Sequence, residues 1–589
     1  MRPIPQNRHL LAAAILVAAA ALSGYLAMAD HEVSPTQVHI ASAALKRHDP
    51  SQFAHDPIFG QAQSRTTRPA APTGGPRPGA TRPPELWLFH TPAYQSMLEL
   101  VLVPTGYRDL LLGFRVGTAV QTLLLLAGMY ALLFWQTRSW SISAFTAVLA
   151  ARIIDMPGGG FWGSGSLASA TPAGLCLAAW PLVVLAFARY SRCEHGASPR
   201  AQWRVILVFV VVGLMGNFHL VTAMNMTLVL LIAYVIRQRL SPRCWPIALA
   251  AAAGALLAAM PYAWYYFSLR TQMSAGHLAP EPGLVKDAIR AGGLTVLYPA
   301  LLQSLLDWRV LAGVIVLGIP SVAVLVRVER YITQNVRLWI GLIVGSVLVS
   351  MGLHGLIQFV AKHTHTAPLV IDFVQAANLL MLPLYVLLGQ AITNLFRIFR
   401  GHRAVLRWVL TVLLGLWMIP ADNLRVARWR LAETATSFLS EEHKPDYVLR
   451  HRESDAKRQE LLAVADYASA RSGAVFITDR DEFRMLARSA VAVGPYDVRY
   501  LYYLAPWRLG EWLDFYEKQH ALLDPSAGTA DGKAVVAFVE ELSASRPGFA
   551  NAGEWYVLLK RTAAPAEPGS LQPINSPHWG KHYRLYRVR

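Results

Sequence analysis

The sequence has few charged residues and few cysteines for its length. Aspartate, glutamate, lysine and arginine make up 15% of the 589 residues, well below the share of about 25% in soluble globular proteins. The three cysteines, Cys176, Cys193 and Cys244, lie in or beside apolar segments and form no Cys-x-x-Cys motif. A structural zinc site and a disulfide framework are therefore not expected.

The chain is instead rich in apolar residues, which account for 54% of the sequence and give a mean hydropathy of +0.34. This composition is typical of an integral membrane protein. The formal net charge of +18 is of a size that also occurs in nucleic-acid-binding proteins. The positions of the arginines along the chain favour a membrane protein and no nucleic-acid partner.

Eleven apolar segments approach or reach the length of about 20 residues that a membrane-spanning helix needs. They are residues 10–29, 112–135, 141–154, 171–188, 204–216, 219–236, 244–267, 309–326, 337–360, 373–396 and 404–420. The triplet Ala27-Met28-Ala29 resembles a signal-peptidase site, but the uncharged run before it exceeds the roughly 7–15 residues of a signal sequence core. We therefore expect residues 1–29 to be retained as the first transmembrane helix.

Arginine recurs in every second connection between these segments. The connections concerned carry Arg138; Arg189, Arg192, Arg200 and Arg204; Arg237, Arg239 and Arg243; Arg327, Arg330 and Arg337; and Arg397, Arg400, Arg403 and Arg407. Short loops rich in lysine and arginine stay on the cytoplasmic side of a membrane. The alternation predicts about eleven spans, the first at residues 10–29 and ten more in a helix bundle at 111–420, with the N-terminus in the cytoplasm and the C-terminus outside.

Two large segments are predicted to lie outside the membrane. The first loop, residues 30–110, contains an amphipathic helix at Thr36–His48, a Pro/Gly/Arg-rich linker at 64–84 and renewed helical periodicity at 90–107 with Thr91 as cap. The tail, residues 421–589, alternates helical patterns with apolar strands such as "AVFITD" and "EWYVLLKR". It has no G-x-G-x-x-G motif and no P-loop, and is predicted to be a soluble α/β domain without a nucleotide site.

Ionisable residues near the outer ends of the helices are candidates for function, because charge at membrane depth is expensive. Asp30 and Glu32 follow the first helix, where they are either catalytic or the solvated end of that helix. Arg152 and Asp155 are most simply a structural ion pair within one helix, and His219 is most simply a helix cap beside Asn217. Further substrate-pocket candidates are His363, His365 and Asp372. The pair His363-x-His365 is a weak metal motif, and no metal site is predicted. Whether the protein uses a divalent cation as cofactor is left open by the sequence.

The layout resembles the GT-C class of membrane glycosyltransferases. The residues that carry the resemblance are "YLAMADHE" at the end of the first helix, the loop with "VHIASAALKRHDPSQFAHDPIFG" and the tail at 421–589. The resemblance implies a polytopic helical protein of a bacterial cytoplasmic (inner) membrane, with an extracytoplasmic C-terminal domain in the cell envelope. It also implies an activity, in which a sugar passes from a polyprenyl-phosphate carrier to a glycan, lipid or protein acceptor outside the membrane.

The resemblance further assigns roles to residues. Asp30, with Glu32 as the alternative, would be the general base that takes a proton from the acceptor hydroxyl. Arg270, Lys286, Arg290 and Lys362 would bind the phosphate of the lipid carrier. Two other functions remain open at this point. One is a transporter or flippase for a lipid-linked substrate, and the other is a non-catalytic, membrane-anchored binding or assembly protein that uses the aromatic stretch "RYLYYLAPWRLGEW".

Overall fold

The computed structural model describes most of the chain. The described residues are 6–27, 33–60, 86, 92–105, 107, 109–155, 161–163, 169–191, 199–274, 277–278, 280–293, 308–326, 333–364, 373–419, 421, 424–471, 473–524, 531–550, 552–563 and 569–589. Within these ranges a helix occupies each of the eleven apolar segments that the sequence predicts to span the membrane.

The helices and strands are numbered here in chain order. The first half contains α1 (Gln6–Leu26), α2 (Pro35–His48), α3 (Pro92–Leu102), α4 (Leu110–Thr137), α5 (Trp140–Leu149), β1 (Ile153–Asp155), β2 (Phe161–Gly163), α6 (Pro172–Tyr190), α7 (Pro199–Met215), α8 (Leu220–Arg237), α9 (Cys244–Ser274) and α10 (Pro282–Ala291). The second half begins with α11 (Trp308–Val326), α12 (Thr333–Val347), a π-helical segment (Leu348–Leu353), α13 (His354–His363), α14 (Ala376–Ile398), α15 (Arg403–Met418) and α16 (Arg425–Ala435). The tail contains α17 (Asp446–Ser469), β3 (Ala474–Ile477), α18 (Glu482–Ala487), β4 (Ala490–Val491), α19 (Asp497–Leu504), α20 (Leu509–Leu523), α21 (Gly532–Ser545), α22 (Pro547–Ala550), β5 (Glu554–Lys560), β6 (Leu571–Ile574) and β7 (Tyr583–Val588).

Seven helical stretches among the described residues are long and apolar enough to cross a membrane. They are Asn7–Leu26, Leu110–Thr137, Pro172–Tyr190, Leu220–Arg237, Cys244–Ser274, Asn335–His363 and Phe373–Ile398. Three further apolar helices, Trp140–Leu149, Trp203–Met215 and Ile315–Val326, are shorter. The predicted class of helical membrane protein is thus confirmed, whereas a full count of eleven spans stays a prediction.

The chain divides into two compact units. Unit 1 comprises Met1–Glu32, Pro92–Trp264 and Thr295–Phe438, and unit 2 comprises Val33–Thr91, Tyr265–Leu294 and Leu439–Arg589. Unit 1 therefore contains the apolar helices apart from the last turns of α9. Unit 2 joins the tail to two segments that the sequence places in loops.

Small residues let the helices of unit 1 approach closely. A Cβ atom at Gly341 of α12 would lie 2.8 Å from the Cα atom of Ala233 on α8, and a Cβ at Gly345 would lie 3.0 Å from the carbonyl oxygen of Val229. The two glycines are four residues apart and so share one face of α12. This small-xxx-small pattern is a common packing device of membrane helices, where burial of apolar surface gives no driving force.

Unit 2 contains a five-stranded mixed sheet in the order β4-β3-β5-β7-β6. Strand β3 pairs in parallel with β4 and with β5, while β7 is antiparallel to both β5 and β6. All four residues of β3 are buried, as expected for a central parallel strand whose two faces are both covered. Phe476 of β3 stacks on Tyr556 of β5 with ring centroids 5.1 Å apart, beneath the apolar face of α17.

The first loop supplies part of the core of unit 2. A helix is present at the predicted position as α2, which begins with a capping box at Ser34 and Gln37 and packs against α18. Residues 37–46 are all buried, so α2 lacks the exposed polar face expected of an amphipathic helix. Its His39 ring lies 4.8 Å from the ring of Tyr500 on α19, and Phe59 lies 5.9 Å from the same ring. Tyr500 and Trp512 of the aromatic stretch are buried, so these two rings serve the core.

We predict that a fragment containing only residues 439–589 does not fold cooperatively. It lacks α2 and Phe59, which cover Tyr500, and it lacks Asp56, whose carboxylate pairs with the buried Arg484. Breaking a buried ion pair costs about 3–5 kcal/mol, a large part of the roughly 5–15 kcal/mol that stabilises a typical domain.

Circular dichroism during heating tests this prediction. Fusing residues 33–60 to the fragment through a flexible linker should restore or sharpen the unfolding transition. The prediction is wrong if the fragment alone melts as sharply, and at the same temperature, as the fusion.

Candidate functional site

Four of the predicted site residues lie outside the described residues. They are the two candidate bases, Asp30 and Glu32, and two pocket candidates, His365 and Asp372. The linker at 64–84 and the proposed cap Thr91 also lie outside them. The roles assigned to these positions stay predictions.

The four predicted phosphate-binding cations are divided between the two units. Arg270, Lys286 and Arg290 belong to unit 2, whereas Lys362 lies in the last turn of α13 in unit 1. All four side chains are exposed. The Arg270 guanidinium donates a hydrogen bond to the Tyr266 hydroxyl one turn earlier, at 3.2 Å. Exposed cations of this kind are able to bind phosphate without first breaking a buried contact.

Helix α10 is amphipathic, and its two cations lie on its exposed face. Val285, Ala288 and Ile289 are buried, and the helix packs against α20. Lys286 and Arg290 lie one turn apart on the opposite, exposed face. Since residues i and i+4 are neighbours on a helix surface, the two cations form a pair with one direction of approach.

His219 and Asn217 satisfy the backbone at the ends of helices. His219 is the N-cap of α8, where its Nδ1 accepts from the backbone N–H of Thr222 at 3.2 Å. The Asn217 side chain donates to the carbonyl of Ala258 at 3.0 Å and accepts from the N–H of Tyr262 at 3.1 Å. These are the backbone groups of α9 that flank Pro261, where a proline disturbs the helical hydrogen bonds. Both side chains therefore have structural roles, as the cap interpretation predicts.

Arg152 and Asp155 do not lie on one helix. Helix α5 ends at Leu149, and Asp155 lies in β1, which pairs with β2 to form a short antiparallel hairpin. The prediction that this helix extends to residue 154 is therefore wrong. The prediction that Arg152 and Asp155 form an i, i+3 pair on one helix is wrong for the same reason. The buried Arg152 guanidinium instead lies over the ring of Trp417 on α15, 3.5 Å from its centroid. A cation held against an indole face gains an attraction from the ring electrons.

His363 ends α13 with an exposed side chain. Its Nδ1 lies 2.9 Å from the carbonyl oxygen of Phe359, and its ring centroid lies 3.9 Å from that of Phe359. The described residues contain no group of three or more His, Cys, Asp or Glu that could hold a metal ion. What the structure shows of His363 is a local contact at the end of a helix.

A buried ionic cluster in unit 2 was missed by the sequence analysis. Arg484 of α18 is completely buried, and its Nε donates to Oδ2 of Asp56 in the first loop at 2.7 Å. Its two terminal nitrogens donate to the two carboxylate oxygens of Asp497 at 2.6 and 2.9 Å. Asp481 is the third carboxylate, 3.6 Å away. Such bidentate geometry suits a guanidinium and could not be reproduced by lysine.

The surrounding backbone completes the cluster. Asp56 also accepts from the N–H groups of Ile58, Phe59 and Val491. A Cβ atom at Gly494 would lie 2.7 Å from Nη1 of Arg484, so only glycine fits there. Since these side chains are shielded from solvent, the cluster is structural and offers no open site for a substrate.

Arg484 forms close ion pairs with Asp56 and Asp497. Asp481 is a third carboxylate in the cluster and lies farther from the guanidinium. Oδ1 of Asp481 is buried and has no hydrogen-bond partner in the part of the chain that the structure describes. Burial raises the pKa of Asp481 to about 7 against the opposing effect of Arg484, and the neighbouring Asp497 carboxylate adds to the rise. Asp481 is therefore the group that takes up a proton near neutral pH.

We therefore expect the free energy of unfolding of unit 2 to fall as the pH rises from about 4 to about 7. The folded state holds the Asp481 proton up to about pH 7, whereas the unfolded chain releases it near pH 4, and folding is favoured where the folded state binds more protons. The substitution Asp481→Asn supplies a neutral side chain at every pH. We predict that it lessens the loss of thermal stability between pH 5 and pH 8.

Melting curves of the full-length protein and its Asp481→Asn variant test this, with Asp466→Asn, an exposed position on α17, as the control. The control should follow the wild type at each pH. Parallel pH profiles for the wild type and Asp481→Asn would contradict the assignment of the buried proton.

Comparisons with protein-family models and with curated protein sequences found no match for this chain. Any functional argument therefore depends on its own residues. Those residues supply exposed cations on α10, a buried cluster that joins the first loop to the tail, and two carboxylates that follow α1 by a few residues in the sequence.

Proposed function

We propose that the protein is a membrane glycosyltransferase. It moves a sugar from a polyprenyl-phosphate carrier to an acceptor on the extracytoplasmic side of a bacterial cytoplasmic membrane. In this proposal Asp30, or Glu32 in its place, takes the proton from the acceptor hydroxyl. Cations of unit 2, among them Lys286 and Arg290, hold the carrier phosphate.

The observation that carries the proposal is the composition of unit 2. Segments that fold together occupy the same aqueous compartment, and unit 2 combines the first loop, the connection after α9 and the tail. The candidate bases directly precede its first segment, and α10 lies in its second. The base and the phosphate-binding cations are therefore proposed to face the same side of the membrane.

The number of helices between these segments agrees with this topology. Six of the predicted spans separate the first segment from the second, and four separate the second from the third. If only the seven long helices cross the membrane, the numbers become four and two. Both sets are even, so the chain returns to the same side in either case. With eleven spans the arginine-rich loops fall on the other side, as the positive-inside rule requires. With only seven, the arginine-rich connections at 189–204 and 397–407 would fall on the same side as unit 2, so the rule favours the larger number.

Carboxylates commonly act as general bases, and lysine and arginine commonly bind phosphate. A carboxylate in a site with restricted water can act as general base on a hydroxyl, an effect worth about 10²- to 10⁴-fold in rate. Phosphate at the membrane surface is bound well by exposed lysine and arginine. The exposed pair Lys286 and Arg290 meets this need without rearrangement of the core of α10.

We predict that Asp30→Asn combined with Glu32→Gln abolishes sugar transfer and leaves the protein folded. The rate should fall by about 10²-fold or more, since the amides cannot accept the acceptor proton. The assay uses proteoliposomes with a radiolabelled polyprenyl-phosphate-linked sugar and follows loss of label from the carrier.

The matched control is Asp49→Asn. Asp49 lies in the same loop at the end of α2, where its side chain accepts hydrogen bonds from Ser51 and Gln52, and its substitution should leave transfer unchanged. Normal transfer by the Asp30/Glu32 double variant would exclude both carboxylates as the base. Movement of the labelled lipid across the bilayer without a covalent product would favour a flippase instead.

A further inference from the structure

Helix α9 carries a stripe of exposed apolar side chains from unit 1 into unit 2. Leu257, Met260, Trp264 and Phe267 are all exposed, and they follow one another at intervals of three or four residues, so they share one face of the helix. The helix passes from unit 1 to unit 2 between Trp264 and the next residue. The exposed stripe therefore continues past this boundary to Phe267, which is 59% exposed.

Helix α9 is longer than the hydrocarbon core of a membrane. Its 31 residues extend over about 46 Å at a rise of about 1.5 Å per residue, whereas the core is about 30 Å thick. Even a tilt of about 40° leaves a span of about 35 Å across the bilayer. The exposed Arg243 directly precedes the helix and keeps that end at the surface, because charge in hydrocarbon is expensive. The surplus length therefore lies at the other end, in the last turns of α9.

Two contacts hold this end of α9 against the tail. The Tyr266 hydroxyl donates to the carbonyl of Tyr503 on α19 at 3.3 Å. Just beyond the helix, the N–H of His277 donates to the carbonyl of Ser274 at 3.1 Å. The His277 ring stacks on Trp507, which lies between α19 and α20, with centroids 4.2 Å apart. These contacts connect the tail to the end of a helix that is long and apolar enough to cross a membrane.

The residues around these contacts include a cation and a very exposed leucine. Leu278 directly follows His277 and is 91% exposed. Arg270 lies one turn after Phe267 and is exposed, and its guanidinium donates to the Tyr266 hydroxyl at 3.2 Å. Large apolar side chains next to a cation are typical of segments that lie in a membrane surface.

We propose that Phe267, Arg270 and Leu278, here called the membrane-contact residues, insert into the bilayer surface on the side of unit 2. Phe267 and Leu278 enter the boundary between headgroups and acyl chains, and Arg270 binds the phosphates of the lipids. The Tyr266–Tyr503 and His277–Trp507 contacts then keep the tail at the membrane surface.

A lipid surface fits these residues better than a second protein chain. The apolar stripe that ends at Phe267 begins in the part of α9 whose length matches the hydrocarbon core, so one continuous face meets lipid. Along the helix the apolar side chains come first and the cation Arg270 follows. This order repeats the change in polarity from the acyl chains to the headgroups of a bilayer, and anionic headgroups attract such a cation.

This inference goes beyond the proposed function and does not depend on it. The proposed transfer reaction uses Asp30 or Glu32 as base and Lys286 and Arg290 for the carrier phosphate, whereas Arg270 is assigned here to the phosphates of the surrounding lipids. Contact with the membrane needs neither a sugar nor a base. The Asp30/Glu32 double variant should therefore retain it even if sugar transfer is lost.

Spin-label depth measurements on the full-length protein in nanodiscs test the proposal. Labels are placed at Leu278→Cys or Phe267→Cys in a Cys193→Ser background, since Cys176 and Cys244 are buried. Power saturation compares collisions with oxygen, which partitions into lipid, and with a water-soluble nickel chelate. We expect both labels to collide more with oxygen and to lie within about 5–10 Å of the phosphate level.

The matched control is Gln572→Cys. Gln572 is exposed on β6, at the sheet edge opposite β4, and its label should collide mainly with the nickel chelate.

A charge variant tests the role of Arg270. Arg270→Glu should move the label at position 278 towards water, and more so with phosphatidylglycerol in the nanodisc than with phosphatidylcholine alone, because an anionic surface repels the carboxylate. Arg270→Lys keeps the charge and should keep the depth. The proposal is overturned if the label at 278 behaves like the control, if it is shielded from both reagents as in a protein contact, or if Arg270→Glu leaves its depth unchanged in both lipids.

Discussion

The fold of unit 2 depends on the charge of Arg484. A buried guanidinium loses its hydration and is tolerated only where carboxylates and other polar groups replace the lost water. Here Asp56 comes from the first loop and Asp497 from the start of α19, and both contact Arg484 directly. Removal of Asp56 leaves the buried Nε donor of Arg484 without its carboxylate partner, although Asp497 still pairs with the two terminal nitrogens. The cluster thus makes the first loop an obligatory part of the domain that the tail forms.

This constraint relates the fold of unit 2 to the number of apolar helices between its segments. Residues 56 and 484 meet only if the chain between them returns to the side from which it started, and the even number of intervening helices allows this. In the transferase proposal, the same requirement is taken to put the segment after α1 and the cations of α10 in one compartment.

Local patterns in the sequence predicted local structure well. Runs of apolar residues identified the helices of unit 1, the pattern at Thr36–His48 predicted α2, and the apolar run of β3 predicted the central strand. The pairing of Asp56 with Arg484 could not be predicted, because the two residues are 428 positions apart and hydropathy carries no information on such contacts. "HDPIFG" and "DEFR" each place a charge beside apolar residues, which was the only available signal. The end of α5 was predicted too far along because Ile153 and Ile154 continue the apolar run into β1.

The central claim is that Asp56 and Arg484 act as one unit across two distant parts of the chain. A double-mutant cycle in the full-length protein, using Asp56→Asn, Arg484→Gln and the double variant, measures their coupling as a free energy of unfolding. The account predicts that the double variant loses much less stability than the sum of the single variants, with a coupling energy of about 0.5–3 kcal/mol, as for residues in contact. Losses that add to within about 0.5 kcal/mol, as for distant and independent sites, would contradict it.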